Sequence, residues 1–140
     1  MLHLHSTLAV LVLLFLVFGV IRGFMGGRQE VFGAIDKRIT LLTLIFAHLQ
    51  LVIGLYLWFS FMSAMHWDMG TIMGDSVLRL KGVEHITIMI FAVIMITMVR
   101  SRTKKMTDAK KQYRAMLIGY GVALLLVLVR IPWNQWSLLQ

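Results

Sequence analysis

Hydrophobic residues along this chain fall into four long stretches separated by short polar segments. The stretches cover residues 4–21, 39–61, 82–99 and 115–133. A membrane-spanning helix needs about 20 mostly apolar residues, and each stretch is close to that length. Because the connections between them are short, we expect neighbouring helices to be antiparallel. The pattern therefore predicts one all-α domain, an integral membrane up-down four-helix bundle.

Composition agrees with a membrane protein and excludes several other classes. The 140 residues are 59% hydrophobic and only 14% charged, against roughly 45–50% and about 25% in soluble domains. A soluble enzyme and a disordered chain are therefore not expected. The chain has no cysteine, which excludes disulfides, zinc–thiolate sites and iron–sulfur clusters.

The first hydrophobic stretch differs from a cleavable signal peptide. Its nearest charged residue, Arg22, follows the apolar residues instead of preceding them, and no A-x-A-like site comes after it. A secretory signal has a basic segment before its apolar core and small residues at the cleavage site. We therefore expect this stretch to stay in the protein as the first helix.

Basic residues are concentrated in two of the connections. Residues 22–38 and 100–114 hold eleven of the fourteen Lys and Arg residues, and with their three acids they account for the whole formal charge of +8. The positive-inside rule places these connections in the cytoplasm. Both termini and the 62–81 loop are then expected outside. Topology and contact with anionic lipids account for this charge, so no nucleic-acid partner is predicted.

Tryptophan residues agree with these span ends, because their amphipathic rings favour the membrane–water interface. Trp58 and Trp67 flank the outer end of the second stretch, and Trp133 and Trp136 follow the fourth. Pro132 is expected to end the last helix because it cannot continue the helical hydrogen bonds. Residues 100–114 are expected to form either a charged turn or extensions of the flanking helices.

Three histidines lie at or near membrane depth, where ionisable groups are costly and mark function. At about 1.5 Å per residue, His85 lies roughly 6 Å inside the outer boundary and His48 roughly 20 Å inside it. His5 is nearly level with the boundary at the start of the first stretch. The first and third helices of an up-down bundle are diagonal partners, so their histidines can face each other across the core.

Two imidazoles from opposite helices are the ligand set of a bis-histidine haem. The heights favour His5 with His85, or His3 with His85, as the axial pair. His48 is about 13 Å from His85 in height, so it is expected at a second site. It would be a quinol or proton contact, or a ligand of another haem.

Each histidine also has a purely structural interpretation. His85 could form a hydrogen-bonded pair with the adjacent Glu84, and His48 could bond across the bundle to Tyr120 or Thr87. His3 and His5 could be ordinary interfacial residues, and His66 a solvent-facing residue of the outer loop. These alternatives stay open at the level of the sequence.

Some basic residues and glycines could also contribute to a cofactor site. Arg79, Lys81 and Arg130 gather on the outer side, where they could pair with haem propionates or anchor helices at the lipid headgroups. The glycines of the stretches favour close helix packing, with room for a flat cofactor as the alternative. They are Gly19, Gly54, Gly119 and Gly121.

Methionine is plentiful, with eleven residues. Met89, Met95 and Met98 in the third stretch are expected to be packing residues, although methionine can ligate haem iron or copper. Four methionines around His66 form a weak copper motif: Met62, Met65, Met69 and Met73. Motifs for nucleotide binding, serine hydrolysis and zinc proteolysis are absent from the sequence.

Four segments taken in order resemble a family of small four-helix bacterial membrane proteins called cytochrome B, or b-type cytochrome-like. They are LHLHS, FAHLQLVIGLYLWF, LRLKGVEHITIMIFAVIMITMVRSRTKK and YGVALLLVLVRIPW. The resemblance covers nearly the whole chain. It implies a compact four-helix protein of the bacterial cytoplasmic membrane that holds haem b, with ligands drawn from His5, His48 and His85.

The leading functional expectation is therefore haem-mediated electron transfer within a larger redox or respiratory membrane complex, with quinol as a further partner. Such a protein is an electron carrier and not a stand-alone enzyme. A haem-free accessory subunit of a membrane complex is the main alternative. A weaker one is copper or haem handling at the outer face through His3, His5, His66 and the nearby methionines.

Overall fold

A computed structural model describes residues 1–133, and these residues form helices and turns without any strand. Four helical segments are long and apolar enough to cross a membrane: Leu2–Arg28, Ala34–Ala64, Ser76–Lys105 and Ala109–Arg130. The all-α class and the four candidate spans predicted from the hydrophobic stretches are confirmed. Trp136 lies outside the described residues.

The helices are α1 (Leu2–Met25), α2 (Ala34–Ala64), α3 (Met69–Gly74), α4 (Ser76–Arg79), α5 (His85–Lys105) and α6 (Ala109–Arg130). A 3₁₀ turn (Gly26–Arg28) follows α1, and a π-helical segment (Leu80–Glu84) joins α4 to α5. Both short helices, α3 and α4, lie in the predicted outer loop. Their first turns are capped by the carboxylates of Asp68 and Asp75, which accept backbone N–H groups.

The last helix ends three residues before the end of the fourth hydrophobic stretch, next to the proline that was expected to end it. Helix α6 ends at Arg130 and not near Trp133, because Pro132 restricts the residue before it to an extended conformation. Ile131 has φ −68° and ψ 129°. At its other end α6 begins earlier than the apolar stretch, because the Asp108 carboxylate caps it by accepting the Lys111 N–H at 3.2 Å. The basic segment therefore forms helix extensions around a short turn at residues 106–108.

Each long helix packs against two others. Helix α1 contacts α2 and α6, and α5 also contacts α2 and α6. Thus α1 and α5 are opposite each other, as are α2 and α6. The buried core along the centre includes Leu16, Ile96, Met116 and Tyr120. Most other apolar side chains of the long helices face outward, which suits a helix surrounded by lipid.

The two ends of the bundle have different chemistry. At the basic end, Arg22 donates two hydrogen bonds to Asp36, and Tyr113 donates one to the same carboxylate at 2.7 Å. At the other end, which we call the histidine end, His5 and His85 lie beside Arg130 and the π-helical segment. The candidate functional site is at the histidine end.

Candidate functional site

His5 and His85 come together in the interior of the histidine end. His5 lies in the second turn of α1, and His85 is the first residue of α5. Their ring centres are 6.3 Å apart, and the ring planes are inclined by 73°. The two rings belong to opposite helices of the bundle, as the height estimate expected for the diagonal pair.

The π-helical segment sets the position of His85. The backbone N–H of His85 donates to the Leu80 carbonyl five residues earlier, so the turn is wider than an α-helical turn. Within this segment the Gly82 carbonyl accepts a hydrogen bond from the Trp58 indole N–H at 2.7 Å. This bond ties α2 to the start of α5. π-Helical turns are frequent at functional sites, which agrees with the location of this one.

His85 is held by the end of α6. Its Nδ1 lies 2.8 Å from the Arg130 carbonyl oxygen. A carbonyl oxygen can only accept, so Nδ1 carries the hydrogen, and Nε2 of the neutral ring is left as an acceptor. The bond also satisfies one of the carbonyls that a helix leaves unpaired at its carboxyl end.

His5 is held by α2. Its Nε2 lies 3.3 Å from the Gln50 side-chain nitrogen. The other polar atoms of this pair, His5 Nδ1 and Gln50 Oε1, are buried without a hydrogen-bond partner. Turning the Gln50 amide over would satisfy Oε1 through the His5 Nε2–H and would leave Nδ1 as a bare acceptor. Only in this second arrangement does His5 keep a buried ring nitrogen with a free lone pair, because in the first one Nδ1 carries the hydrogen.

A cavity of about 550 Å³ adjoins the two histidines. Its walls come from all four long helices and are mostly apolar. Such a volume is typical of small-molecule and cofactor sites. Gly54 of α2 enlarges the space, since a Cβ there would lie 3.1 Å from His5 Cε1. The polar side chains on the wall are His5, Ser6, Gln50, Trp58, Lys81 and His85.

Charged groups lie at the rim of the cavity. Glu84 accepts from Arg79 at 3.0 Å and pairs with Arg130 at 3.5 Å. Glu84 therefore bonds to the two arginines and not to His85, contrary to the structural alternative for that histidine. Lys81 lines the cavity itself. The rim is cationic overall, which suits an anionic group at the mouth.

The structure does not bring His48 to this site. Its side chain is exposed on α2, and its Nδ1 bonds to the Leu44 carbonyl of the same helix at 2.9 Å. The cross-bundle bond to Tyr120 or Thr87 is not formed. His48 faces the surroundings of the bundle, because its position on α2 points away from the α1 and α5 contacts.

His3 and His66 also lie apart from the pair. His3 is exposed, so His5 and not His3 faces His85. His66 follows α2 in a turn where it has φ 49°. In residues 1–133, no group of three or more His, Asp or Glu side chains could hold a metal ion. Met62 is buried against Gly82 and is not grouped with His66.

Gln50 was missed in the sequence, and Trp58 was expected only at the membrane interface, whereas Gly54 was among the glycines with room for a cofactor as an alternative. Gln50 is an amide within a predicted span, and a polar side chain at that depth is itself a signal of function. Gly54 and Trp58 follow it at four-residue intervals, which places all three on one face of α2. That face could be recognised only once Gln50 was treated as a site residue.

The remaining glycines and methionines have separate roles. Gly19 and Gly119 allow close helix contacts with Tyr120 and Val99, whereas a Cβ at Gly121 would meet nothing within 4 Å. Met89 lines the cavity. Met95 and Met98 line a different groove near the basic end.

Comparison of this chain with protein-family models, curated proteins and solved structures finds no match.

Proposed function

We propose that this protein is a b-type cytochrome of the bacterial cytoplasmic membrane and that it transfers electrons within a larger redox complex. The observation that carries the proposal is the pairing of His5 and His85, from opposite helices, beside a cavity of about 550 Å³. The resemblance of the four sequence segments to b-type cytochrome-like proteins points the same way.

The spacing of the two rings fits one metal ion between them. A histidine nitrogen lies about 2 Å from the metal that it binds, so two opposed ligand nitrogens are about 4 Å apart. The ring centres lie about 1 Å farther out on each side, which gives a centre-to-centre distance of about 6 Å. The observed distance is 6.3 Å.

Hydrogen bonds to the ring nitrogens also fit a metal site. Metal-binding histidines use one nitrogen for the metal and donate the other N–H to a protein acceptor, which fixes the ring orientation. His85 has this arrangement through the Arg130 carbonyl, and His5 has it when the Gln50 amide is turned so that its oxygen accepts from the Nε2–H. His5 and His85 are thus the residues that would hold the haem iron, with the Arg130 carbonyl and the Gln50 amide orienting their rings.

The rest of the cavity would hold the porphyrin and keep water away from it. Apolar walls from α1, α2, α5 and α6 fit the flat face of a porphyrin. Lys81 lines the cavity and is the cation placed to pair with a propionate; Arg79 and Arg130, the other two candidates, are paired with Glu84. Haem, when bound, supplies one-electron redox chemistry. The apolar wall and the hydrogen bonds that hold the two histidine rings would set the reduction potential of the bound haem.

Membrane orientation forms part of the proposal. The basic end faces the cytoplasm under the positive-inside rule, so the chain is an up-down bundle with both termini and the histidine end outside. The site then lies near the outer surface. An electron donor or acceptor in that position would be a partner subunit or a quinol in the outer leaflet.

The test is haem reconstitution of the detergent-purified protein, followed by a dithionite-reduced minus air-oxidised spectrum and iron analysis. We expect a sharp low-spin haem b band with about one iron per chain. His5→Ala and His85→Ala should each abolish that band. His48→Ala and His66→Ala are matched controls, because neither ring touches the cavity, and both should keep it.

Two results would contradict the proposal. One is a flat spectrum without iron from a wild-type sample whose circular dichroism shows intact helices. The other is an unchanged band in His85→Ala. The first result would favour a haem-free accessory subunit, which co-purification in a stoichiometric complex would then identify.

A further inference from the structure

A second groove lies at the basic end, remote from the histidines, between α5 and α6. Its volume is about 280 Å³. Three cationic side chains line it: Arg102 at the end of α5, and Lys111 and Arg114 in the first turns of α6. We call this surface the basic groove.

The floor of the basic groove is apolar. Met95, Met98, Ile118 and Gly119 line it on the side toward the middle of the bundle. From Arg102 to Met95 the wall of α5 extends about 10 Å at about 1.5 Å per residue, enough for part of an acyl chain. At Gly119 the two helices pack closely, since a Cβ there would meet the Val99 side chain, so α5 and α6 close the floor of the groove.

The positive charge of the basic groove is not balanced by acidic side chains. Within residues 1–133, Arg102, Lys111 and Arg114 form no ion pair. Asp108, the acid nearest to them in sequence, is engaged as the cap of α6. Lys111 and Arg114 lie near the amino end of α6, where the helix dipole is positive and cations are disfavoured. An anion in the basic groove would relieve this repulsion.

We propose that the basic groove binds one anionic phospholipid from the leaflet at the basic end. The phosphate would lie among Arg102, Lys111 and Arg114, and one acyl chain would run along the apolar floor toward Met95. Basic pockets between membrane helices recognise anionic headgroups in this way. The combination of charge at the interface and an apolar groove below it favours a lipid over a soluble anion or a peptide.

The test measures dioleoylphosphatidylglycerol binding to the full chain in a neutral detergent, by native mass spectrometry and by the shift in thermal unfolding. We expect one tightly retained phosphatidylglycerol per chain and much weaker retention of phosphatidylcholine. Arg102→Ala combined with Arg114→Ala should weaken phosphatidylglycerol binding about 30-fold, from the usual contribution of a cation at the membrane surface.

Lys104→Ala combined with Lys110→Ala is the matched control. Both lysines are exposed in the same basic segment but do not line the basic groove, so the charge loss is equal. This pair should change the affinity less than about threefold. Equal weakening by both pairs would show only general attraction to anionic lipid and would overturn the proposed site.

A second variant tests the apolar half of the site without changing charge. Ile118 is 53% exposed, so Ile118→Trp should fold normally and fill the floor of the groove. We expect it to lower phosphatidylglycerol retention at least about fivefold. Unchanged retention, or full competition by glycerol 3-phosphate alone, would show that no acyl chain occupies the floor and would overturn the proposal.

Discussion

One carboxylate joins three parts of the chain at the basic end. Asp36 is 1% exposed. It accepts from the Arg22 guanidinium, from the Tyr113 hydroxyl and from the Gly33 backbone N–H. These bonds link α1, the turn before α2, and α6. A buried charge with such a full set of donors is stable only while all of them are present.

Asp36→Asn is therefore expected to destabilise the protein strongly. The substitution removes the charge that Arg22 and Tyr113 are arranged to meet. Because Arg22 is 29% exposed and can be hydrated, the expected cost is that of hydrogen bonds to a charged group, roughly 1.5–3 kcal/mol. The measurement is the free energy of unfolding in detergent, or the thermal midpoint. Glu30→Gln is the control, because Glu30 is exposed and should change stability by less than about 0.5 kcal/mol. Equal effects of the two substitutions would contradict this role.

Helices α1 and α6 approach each other closely through glycines. Gly19, Gly23 and Gly26 lie three or four residues apart on one face of α1 and its following turn. Gly23 lies against the backbone of α6, where a Cβ would be 2.7 Å from the Leu117 nitrogen. Small residues at such spacing let membrane helices approach closely, so that packing and not the hydrophobic effect holds them together.

Gly23→Ala should separate α1 from α6, because backbone atoms cannot move aside as a flexible side chain can. Overpacking of this kind costs about 1–3 kcal/mol. Gly121→Ala is the matched control on α6, where a Cβ meets nothing within 4 Å, and alanine should stabilise the helix by up to about 1 kcal/mol. Thermal unfolding of the two variants in the same detergent makes the comparison. A Gly23→Ala protein as stable as Gly121→Ala would refute this packing role.

At the scale of the whole molecule, charge and chemistry are divided between the two ends. The connections at the basic end carry most of the Lys and Arg residues. The paired histidines and the larger cavity are at the other end. Because loops rich in Lys and Arg stay in the cytoplasm, the basic end should face the cytoplasm and the histidine end the opposite side of the membrane.

Cysteine labelling can test the orientation, because the chain has no cysteine of its own. Thr107→Cys lies in the basic turn and Gly74→Cys in the opposite loop, and both positions are exposed. In intact bacteria, a membrane-impermeant maleimide should label Gly74→Cys and leave Thr107→Cys unlabelled until the cells are lysed. The reverse pattern would place the histidine site in the cytoplasm and overturn the proposed orientation.

The hydrophobic pattern by itself determined the helical class and the four candidate spans, because a bilayer requires about 20 apolar residues for each crossing. The fourth stretch extends three residues past the end of α6, and Pro132, the residue expected to end that helix, gives the reason. The heights of His5 and His85 also followed from counting residues, since the helical rise is constant.

Tertiary structure alone decided which side chains share a site. His48 and Gln50 are two residues apart on α2, yet Gln50 faces His5 and His48 faces outward. A helix turns about 100° per residue, so the direction of each side chain depends on how α2 is rotated against its neighbours. In a membrane span both faces are apolar, and the periodicity that reveals this rotation in soluble helices is lost. Packing of the four helices fixes the rotation, and with it the site.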